Sequence, residues 1–390
     1  MTGDKNIKEL LTRRVEEIID LKHLEVALMS GKNLRVKLGI DPTSPNIHIG
    51  RAVVLRKLRE FQNLGHTAVL IVGDFTGQIG DTSDKDTERP MLSEEQVKQN
   101  MKTYSDQAFK ILDRKKSETH YNSKWLQKLG FLEIGTMADR FGLHEFSSRE
   151  LIKKRLDSGR RVSLRELMYP LMQGYDSVAV KADVELGGTD QRFNLLAGRK
   201  IQPIYGQSPQ DIVITKFPLE GLDGRKMSSS WGNGINITDE PNDMFGKVMS
   251  IQDNLILKYF ELATQIPMDE IKNIEQELKN GANPKDVKGR LAKEIVTLYH
   301  GIESAEAAQE GFEKVFSKGE NPDEIKEIEN KGDIIQTVVS AGVIPSNSEM
   351  KRLIDQKAVK INDKVIEKWR QPTKSGDIIK IGPRKFAKVK

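Results

Sequence analysis

Two apolar runs, joined by a loop and a helical segment, constrain the fold of this chain most strongly. Residues 34–40 alternate apolar side chains as a buried strand does, and residues 52–64 repeat them at helical spacing. Residues 67–72 are continuously apolar, which is typical of a central parallel strand. This order of strand, helix and strand predicts an α/β protein with a doubly wound parallel sheet, whose ligands bind beyond the carboxyl ends of its strands.

The loop of residues 41–51 carries two residues suited to a nucleotide. His48 and Gly50 lie at the predicted helix N-terminus, where backbone N–H groups and the helix dipole favour a phosphate. A histidine at this place is more often structural, so the loop needs a partner motif. Residues 221–230 supply one, because they place Lys226 among small and polar residues without an apolar period. This pattern predicts an exposed, mobile loop, for which a solvated turn is the alternative.

Composition narrows the class of protein. A chain of 390 residues predicts two or three domains, and its net charge of +5 with a pI of about 9.0 is compatible with an anionic partner. The absence of cysteine excludes disulfides, zinc ribbons and thiol nucleophiles, and the six histidines show no metal-ligand spacing. No apolar run approaches the length of a membrane span or forms a signal core. We therefore expect a soluble cytoplasmic protein without a membrane partner.

Further helices and turns surround this nucleotide-type unit. Residues 6–29 have helical periodicity up to Ser30-Gly31 and predict one helix, and residues 92–112 predict another. Residues 116–168 show polar helices with little strand pattern and are interpreted as an insertion between two halves of the sheet. Its scattered apolar residues suit either a local core or a subunit interface.

Two further groups of polar residues are candidates for ligand binding. The turn of residues 73–81, which contains Thr76, ends in Asp81, a carboxylate able to hold an ammonium beside Lys85 and Arg89. A plain glycine-rich turn is the alternative there.

The second group is Tyr169, Gln173 and Asp176, which share one face of a helix at their spacing of four and three. A solvated stripe is the alternative, but the surrounding residues are apolar and an unpaired buried Asp is costly. A small polar ligand is therefore the expected partner.

The motifs together resemble the tyrosyl-tRNA synthetase family of class I aminoacyl-tRNA synthetases over nearly the whole chain. The matching motifs, in chain order, are Asp-Pro-Thr and His-Ile-Gly within 41–50, Gly-Asp at 80–81, Tyr-x-x-x-Gln-x-x-Asp at 169–176, Asp-Gln at 190–191 and Lys-Met-Ser at 226–228. The resemblance implies a Rossmann-like catalytic domain that activates tyrosine with ATP and transfers it to tRNA. No enzymic nucleophile is needed, since positioning and stabilisation of the leaving pyrophosphate accelerate the reaction.

The resemblance also implies roles for matching residues. At the tyrosine substrate it places Tyr169, Gln173 and Asp81 near the α-ammonium, Asp176 near the phenol, and Gln191 and Thr76 in the pocket. At ATP it places Asp190 near the ribose, Asp41 and Gly50 near the nucleotide, and Thr43, His48, Lys85, Arg89 and Lys226 near the transferred phosphates. Mg²⁺ is expected to accompany ATP without a dedicated protein site.

Three positions depart from the family pattern. Lys37 stands where well-known members carry a Tyr that helps to read the phenol. Arg51 stands where the four-residue signature usually ends in His, and Ser229 replaces the second Lys of the loop. The first departure leaves more of the phenol recognition to Asp176.

The C-terminal third resembles the family's RNA-binding parts. We expect a catalytic domain over 1–242, a helical anticodon-side domain with an acidic linker at 321–331 over 243–331, and a small α+β RNA-binding domain over 332–390. The last segment carries 13 Lys and Arg against 6 Asp and Glu. The resemblance places Lys351 and Arg352 on its RNA-facing helix and implies a homodimer formed through the insertion.

Three alternatives stay open at this point. The first is a non-catalytic RNA-binding protein, against which the acidic residues and Lys226 of the motifs argue. The others are a tryptophanyl-tRNA synthetase and a small-acid nucleotidyltransferase. The set Tyr169, Gln173 and Asp176 favours tyrosine over tryptophan, and the basic C-terminal segment disfavours the nucleotidyltransferase.

Overall fold

The computed structural model describes residues 2–81, 91–216, 218–228, 231–317, 325–344, 346–382 and 385–390. They form two compact units. One contains Met1–Thr238 and Ile251–Pro284, and the other contains Asp239–Ser250 and Lys285–Lys390. Within the described residues, no helix is both long and apolar enough to span a bilayer.

The strands and helices are numbered in chain order. The strands are β1 (Val15–Ile19), β2 (Arg35–Ile40), β3 (Thr67–Val72), β4 (Ser117–Tyr121), β5 (Val184–Gly188), β6 (Asp211–Thr215), β7 (Lys326–Ile328), β8 (Val359–Ile361), β9 (Lys364–Val365), β10 (Ile378–Ile381) and β11 (Lys385–Val389). The helices are α1 (Thr2–Thr12), α2 (Leu21–Met29), α3 (Ile49–Asn63), α4 (Thr76–Ile79), α5 (Glu94–Ala108), α6 (Ser123–Leu126), α7 (Phe131–Ala138), α8 (Leu143–Ser147), α9 (Glu150–Asp157), α10 (Leu164–Val180), α11 (Arg192–Ile201), α12 (Pro241–Met249), α13 (Ile256–Ala263), α14 (Met268–Lys279), α15 (Pro284–His300), α16 (Ile302–Ser317), α17 (Ile334–Ser340) and α18 (Asn347–Asp355).

The first unit is built on the predicted parallel sheet. Its strand order is β1-β6-β5-β2-β3-β4, and every neighbouring pair is parallel except β1 with β6. The apolar run of β3 is buried at its centre, as a strand covered on both faces requires. From β2 the chain continues to β3, towards one edge of the sheet, whereas from β5 it continues to β6, towards the opposite edge. The crevice between β2 and β5 is therefore the topological switch point at which such sheets bind ligands.

The prediction of a single helix over residues 6–29 is wrong. The chain forms α1, then strand β1, then α2. The residues on either side of β1, Arg14 and Asp20, have φ angles of 60° and 66°, which a helix cannot accommodate. Pairing of β1 with the buried edge of β6 thus overrides the helical periodicity of its sequence.

The predicted helix over 92–112 is confirmed as α5, which begins with a capping box between Ser93 and Gln96. The segment 116–168, by contrast, is not wholly an insertion. Its first residues form β4, which pairs in parallel with β3. All residues of this edge strand are half-buried, and its Ser-Glu-Thr-His-Tyr sequence lacks the apolar alternation that signals a strand.

The second unit contains a five-stranded sheet of order β7-β11-β10-β8-β9. Helices α17 and α18 contribute Ile334, Val338 and Met350 to an apolar core that includes Ile379 of β10. This sheet with its helices confirms the predicted α+β fold at the C-terminal end. Strand β7 lies within the segment 321–331 that was predicted as a linker, and it pairs in parallel with β11.

Close packing of α10 on α11 generates a test of the fold. A Cβ at Gly174 would lie 2.6 Å from Cδ1 of Ile201 and 3.1 Å from the backbone carbon of Ala197. Gly174→Ala should therefore lower the free energy of unfolding by about 1–3 kcal/mol in urea titrations. Gly289→Ala is the control, because that helical glycine has open space around it. It should leave stability unchanged or raise it by up to about 1 kcal/mol, and equal effects would contradict the packing argument.

Candidate active site

A cleft opens at the switch point between β2 and β5. It is bordered by the loops that follow β2, β3 and β5 and by one face of α10. The structure brings ten of the predicted site residues together around it: Asp41, Thr43, Gly50, Thr76, Asp81, Tyr169, Gln173, Asp176, Asp190 and Gln191. The helical face predicted for α10 is therefore the face that the cleft uses.

Asp41 lines this cleft and directly follows the end of β2. Its carboxylate accepts hydrogen bonds from Thr76 Oγ1 at 2.7 Å and from Tyr169 Oη at 2.8 Å. A side chain at Gly73 would collide with it, since a Cβ there would lie 2.0 Å from Asp41 Oδ1. Burial raises the pKa of Tyr169 well above its usual value, and the charges of Asp41 and Asp81 add to this effect. Tyr169 is consequently a neutral hydroxyl that donates.

Asp81 and Gln191 form a second polar pair at the cleft. Gln191 Nε2 donates to Asp81 Oδ2 at 2.6 Å. Asn194, one turn into α11, donates to Gln191 Oε1 at 3.1 Å and so holds the amide in place. Sequence reasoning missed Asn194, although its position three residues after Gln191 at the start of a helix is a usable signal.

Asp176 is buried and is held by two donors. Trp125 Nε1 donates to its Oδ1 at 2.7 Å, and Asn122 Nδ2 donates to its Oδ2 at 3.2 Å. Burial raises the pKa of Asp176 to about 7, while the charge of Lys37 and the two hydrogen bonds oppose the rise and the charge of Glu185 adds to it. The carboxyl group therefore changes protonation close to neutral pH.

Sequence reasoning did not find Asn122 and Trp125. They follow β4 and lie in or beside α6, within the segment interpreted as an insertion. Recognising the polar strand β4 would have placed its carboxyl end, and hence these residues, beside the end of β3. Asn122 and Trp125 were therefore missed because strand β4 was not predicted, and not because their residue types are unsuited to a binding site.

His48 caps the N-terminus of α3 and is nearly buried. Its Nδ1 accepts from the backbone N–H of Arg51 at 3.2 Å, so a neutral ring carries its proton on Nε2. Burial, together with the positive charges of Arg51 and Lys226, lowers the pKa of His48 to about 3. At neutral pH, His48 is therefore an uncharged hydrogen-bond donor at the helix N-terminus.

Arg51 turns back over the same loop. Its guanidinium donates to Thr43 Oγ1 at 3.2 Å and to Ser44 Oγ at 3.4 Å. The residue that departs from the family pattern thus adds a cation beside the proposed phosphate contacts.

The Lys-Met-Ser segment packs beside α3. Met227 is buried, and its sulfur would lie 3.5 Å from a Cβ at Gly50. Asn233 supports the segment by accepting from the backbone N–H of Ser228 and donating to the carbonyl of Lys226. The prediction of an exposed loop is therefore wrong at Met227. Lys226 Nζ lies 3.6 Å from Oδ2 of Asp190, which lines the cleft.

Of the other predicted residues, Lys85 and Arg89 are outside the described residues, as is Ser229. Lys351 and Arg352 belong to the second unit, on the exposed side of α18. There, Lys351 Nζ lies 4.9 Å from the centre of the Trp369 ring.

The described residues include no group of three or more His, Cys, Asp or Glu arranged to hold a metal ion. The cleft carboxylates are instead engaged by Thr76, Tyr169, Gln191 and Lys226.

The chain is similar in sequence to known proteins. The family described as tRNA synthetases class I (W and Y) matches residues 29–317. Tyrosine–tRNA ligases that resemble the chain include that of Carboxydothermus hydrogenoformans, at 48% identity over 98% of this chain and 97% of the relative, and that of Thermotoga maritima, at 47% identity over 100% and 98%.

Solved structures support the fold. The C-terminally truncated mitochondrial tyrosyl-tRNA synthetase of Aspergillus nidulans has a TM-score of 0.67 at 20% identity, covering 80% of this chain and 94% of that chain. Tyrosyl-tRNA synthetase from Archaeoglobus fulgidus, complexed with L-tyrosine, has a TM-score of 0.62 at 22% identity, covering 79% and 99%. At these identities the likeness is one of fold alone.

The raised pKa of Asp176 predicts a pH dependence of stability. Between pH 4 and 7 the folded protein holds a proton on Asp176 that the unfolded chain has released, so stability falls as pH rises through this window. The free energy of unfolding of wild type minus that of Asp176→Asn should fall by up to about 1.4 kcal/mol per pH unit and level off above pH 7. Urea titrations of both proteins measure this difference, and a flat difference would contradict the assignment.

Proposed function

Because the chain belongs to the class I tRNA synthetase family as a tyrosine–tRNA ligase, we propose that this cleft is where it activates tyrosine, with the residue roles given below. The enzyme activates tyrosine with ATP and charges tRNA. In the first step a tyrosine carboxylate oxygen bonds to the α-phosphorus while the bond to the β-phosphate bridging oxygen breaks, and pyrophosphate leaves. In the second step the tyrosyl group moves to the 3′-terminal adenosine of the tRNA and AMP leaves.

The amino-acid end of the proposed site is its carboxylate-rich part. Tyr169, Gln173 and Asp81 bind the α-ammonium, while Gln191 and Thr76 line the pocket beside them. The carboxylate of Asp81 supplies the negative charge, and the hydrogen bond from Gln191 keeps it facing the cleft. The shared cleft is the single observation that carries this assignment.

In this proposal, Asp176 recognises the phenol hydroxyl of the substrate. Above a pH of about 7 its carboxylate accepts a hydrogen bond from the substrate hydroxyl, while Trp125 and Asn122 keep it oriented. Phenylalanine would leave this buried acceptor without its partner, which is costly. Tyrosyl-tRNA synthetases are the established example of such a site, with a rejection of phenylalanine of about 10⁵ that requires no editing.

The phosphate end of the proposed site gathers neutral donors and cations. Asp190 binds the ribose hydroxyls, and Asp41 and Gly50 lie against the nucleotide. His48 and Thr43 donate to the phosphate that departs. Lys226 adds positive charge where the leaving group becomes more negative, and this is the electrostatic stabilisation that an in-line displacement needs.

Lys85 and Arg89, which lie outside the described residues, are assigned to the same phosphates by the family motif alone. Mg²⁺ bound to ATP would neutralise phosphate charge there, and we propose that it enters with the nucleotide and not on a protein cage. Arg51, 3.2 Å from Thr43, is the additional cation of this chain at that end.

The partner tRNA is proposed to contact the C-terminal part of the chain. We propose the three domains predicted above, with 243–331 on the anticodon side and 332–390 as an RNA-binding domain that uses Lys351 and Arg352. The excess of basic residues in 332–390 supports this assignment, since phosphate contacts require them. The same substrates, ATP and tRNA, are the ground for proposing a cytoplasmic location.

A homodimer is the proposed assembly. Large apolar side chains of the inserted segment are exposed, namely Phe131, Leu132, Leu143 and Leu164, at 93%, 87%, 73% and 77% of their surfaces. Monomeric proteins rarely leave so much apolar surface in one segment uncovered. A second copy of the chain is therefore the proposed partner of this surface.

Adenylation is tested by exchange of labelled pyrophosphate into ATP with tyrosine, phenylalanine or tryptophan. Tyrosine alone should support exchange, and Asp176→Ala should lower kcat/KM for tyrosine about 10- to 100-fold, the range expected for loss of a hydrogen bond to a charged acceptor. Asp211→Ala is the matched control, because Asp211 is equally buried but starts β6, away from the cleft. Equal losses in both variants would refute the role of Asp176.

The dimer is tested by sedimentation velocity. Phe131→Asp combined with Leu132→Asp should shift the protein from dimer to monomer. Val26→Asp alters an apolar residue of α2 that is 69% exposed and should leave the dimer intact. A monomeric wild type at micromolar concentration would rule the proposal out.

A further inference from the structure

A lysine and a glutamate lie fully buried under the cleft. Lys37 of β2 and Glu185 of β5 are direct partners in the parallel register of the two central strands. Their side chains have no exposed surface, and Lys37 Nζ lies 2.8 Å from Glu185 Oε1. The neighbours of Lys37 along β2, Val36 and Leu38, are buried and apolar, so this charged pair interrupts an otherwise apolar layer.

Every donor of the lysine is used. Besides Glu185, the ammonium of Lys37 donates to the backbone carbonyl of Gln173 and to Ser177 Oγ, each at 2.8 Å. An ammonium has three N–H groups and each of them has an acceptor here. Two of these acceptors belong to one turn of α10, the turn that also carries Asp176.

The glutamate is equally well satisfied. Its Oε1 accepts from Gln173 Nε2 at 3.0 Å, and its Oε2 accepts from Ser177 Oγ at 3.1 Å and from Gln210 Nε2. A carboxylate can only accept, so the amide nitrogen of Gln173 must face Glu185. Because Gln173 lines the cleft, its amide oxygen is then the atom left to receive a substrate N–H.

We propose that Lys37 and Glu185 are positioning residues for tyrosine recognition, which hold the 173–177 turn of α10 so that the Gln173 oxygen and the Asp176 carboxylate face the substrate. Neither residue lines the cleft, so both act through α10. The inference rests on the proposed tyrosine site, because it assumes that Gln173 and Asp176 bind the amino acid.

Energetics favour a positioning role over a purely structural one. A buried ion pair contributes little net stability compared with well-packed apolar residues, because both charges lose their hydration. Apolar residues could therefore fill this layer, but they could not fix the orientation of an amide or supply positive charge below Asp176. The charge of Lys37 also opposes the rise in the pKa of Asp176 that burial causes.

The test compares two buried lysines of the same unit. Lys37→Met should raise KM for tyrosine about tenfold in pyrophosphate exchange while KM for ATP changes less than about twofold. Lys57→Met is the matched control, since Lys57 is also fully buried and pairs with Glu60 and the carbonyl of Leu10, away from the cleft. It should lose thermal stability but keep its KM for tyrosine.

A double variant separates position from stability. Lys37→Met with Glu185→Gln leaves no uncompensated charge, so it should recover part of the melting temperature lost by Lys37→Met alone. Its KM for tyrosine should stay raised, because a glutamine at 185 no longer dictates which end of the Gln173 amide faces the cleft. If the double variant recovers both the melting temperature and the KM for tyrosine, the pair has a structural role only and the proposal is overturned.

Asp176→Asn distinguishes failure of the site from failure of this inference. If Asp176→Asn leaves KM for tyrosine unchanged, the proposed tyrosine site is wrong. If Asp176→Asn raises that KM while Lys37→Met behaves like Lys57→Met, the site stands and the positioning role is refuted.

Discussion

Asp176 is buried at the floor of the cleft, where ionising a carboxyl group is costly because water is excluded. The surrounding structure is arranged to offset this cost. Trp125 and Asn122 donate to its two oxygens, and Lys37 supplies a positive charge from the sheet below. These contributions come from β2, the end of β4 and α6, whereas Asp176 itself belongs to α10, so the carboxylate connects elements from both sides of the strand-order reversal.

In the proposed function, this arrangement makes recognition of the substrate hydroxyl selective. A carboxylate in water would exchange a lost substrate hydrogen bond for one to solvent at little cost. A buried carboxylate held by fixed donors has no such replacement. In the proposed function, the same burial that raises the pKa of Asp176 therefore makes the absence of the substrate hydroxyl costly.

The sequence predicted the parts of the site whose spacing follows helix geometry or whose motif is contiguous. Tyr169, Gln173 and Asp176 were found because intervals of four and three define one helical face, and β2, α3 and β3 because their periodicity is clear. Strands β1 and β4 were missed, since the first is short and amphipathic and the second is polar, and pairing with neighbouring strands decides both. Missing β4 also hid Asn122 and Trp125, because only the parallel register of β4 with β3 brings them to Asp176.

Side chains of both charges surround the cleft. The carboxylates of Asp81 and Asp176 and the guanidinium of Arg51 line it, and the uncharged donor His48 caps the nearby start of α3. In the proposed function, the carboxylates bind the ammonium of the amino acid, and the cations and neutral donors bind the phosphate chain of ATP. The strand-order reversal thus does more than create a crevice, since it lets the loops that follow β2, β3 and β5 bring side chains of both charges to one cleft.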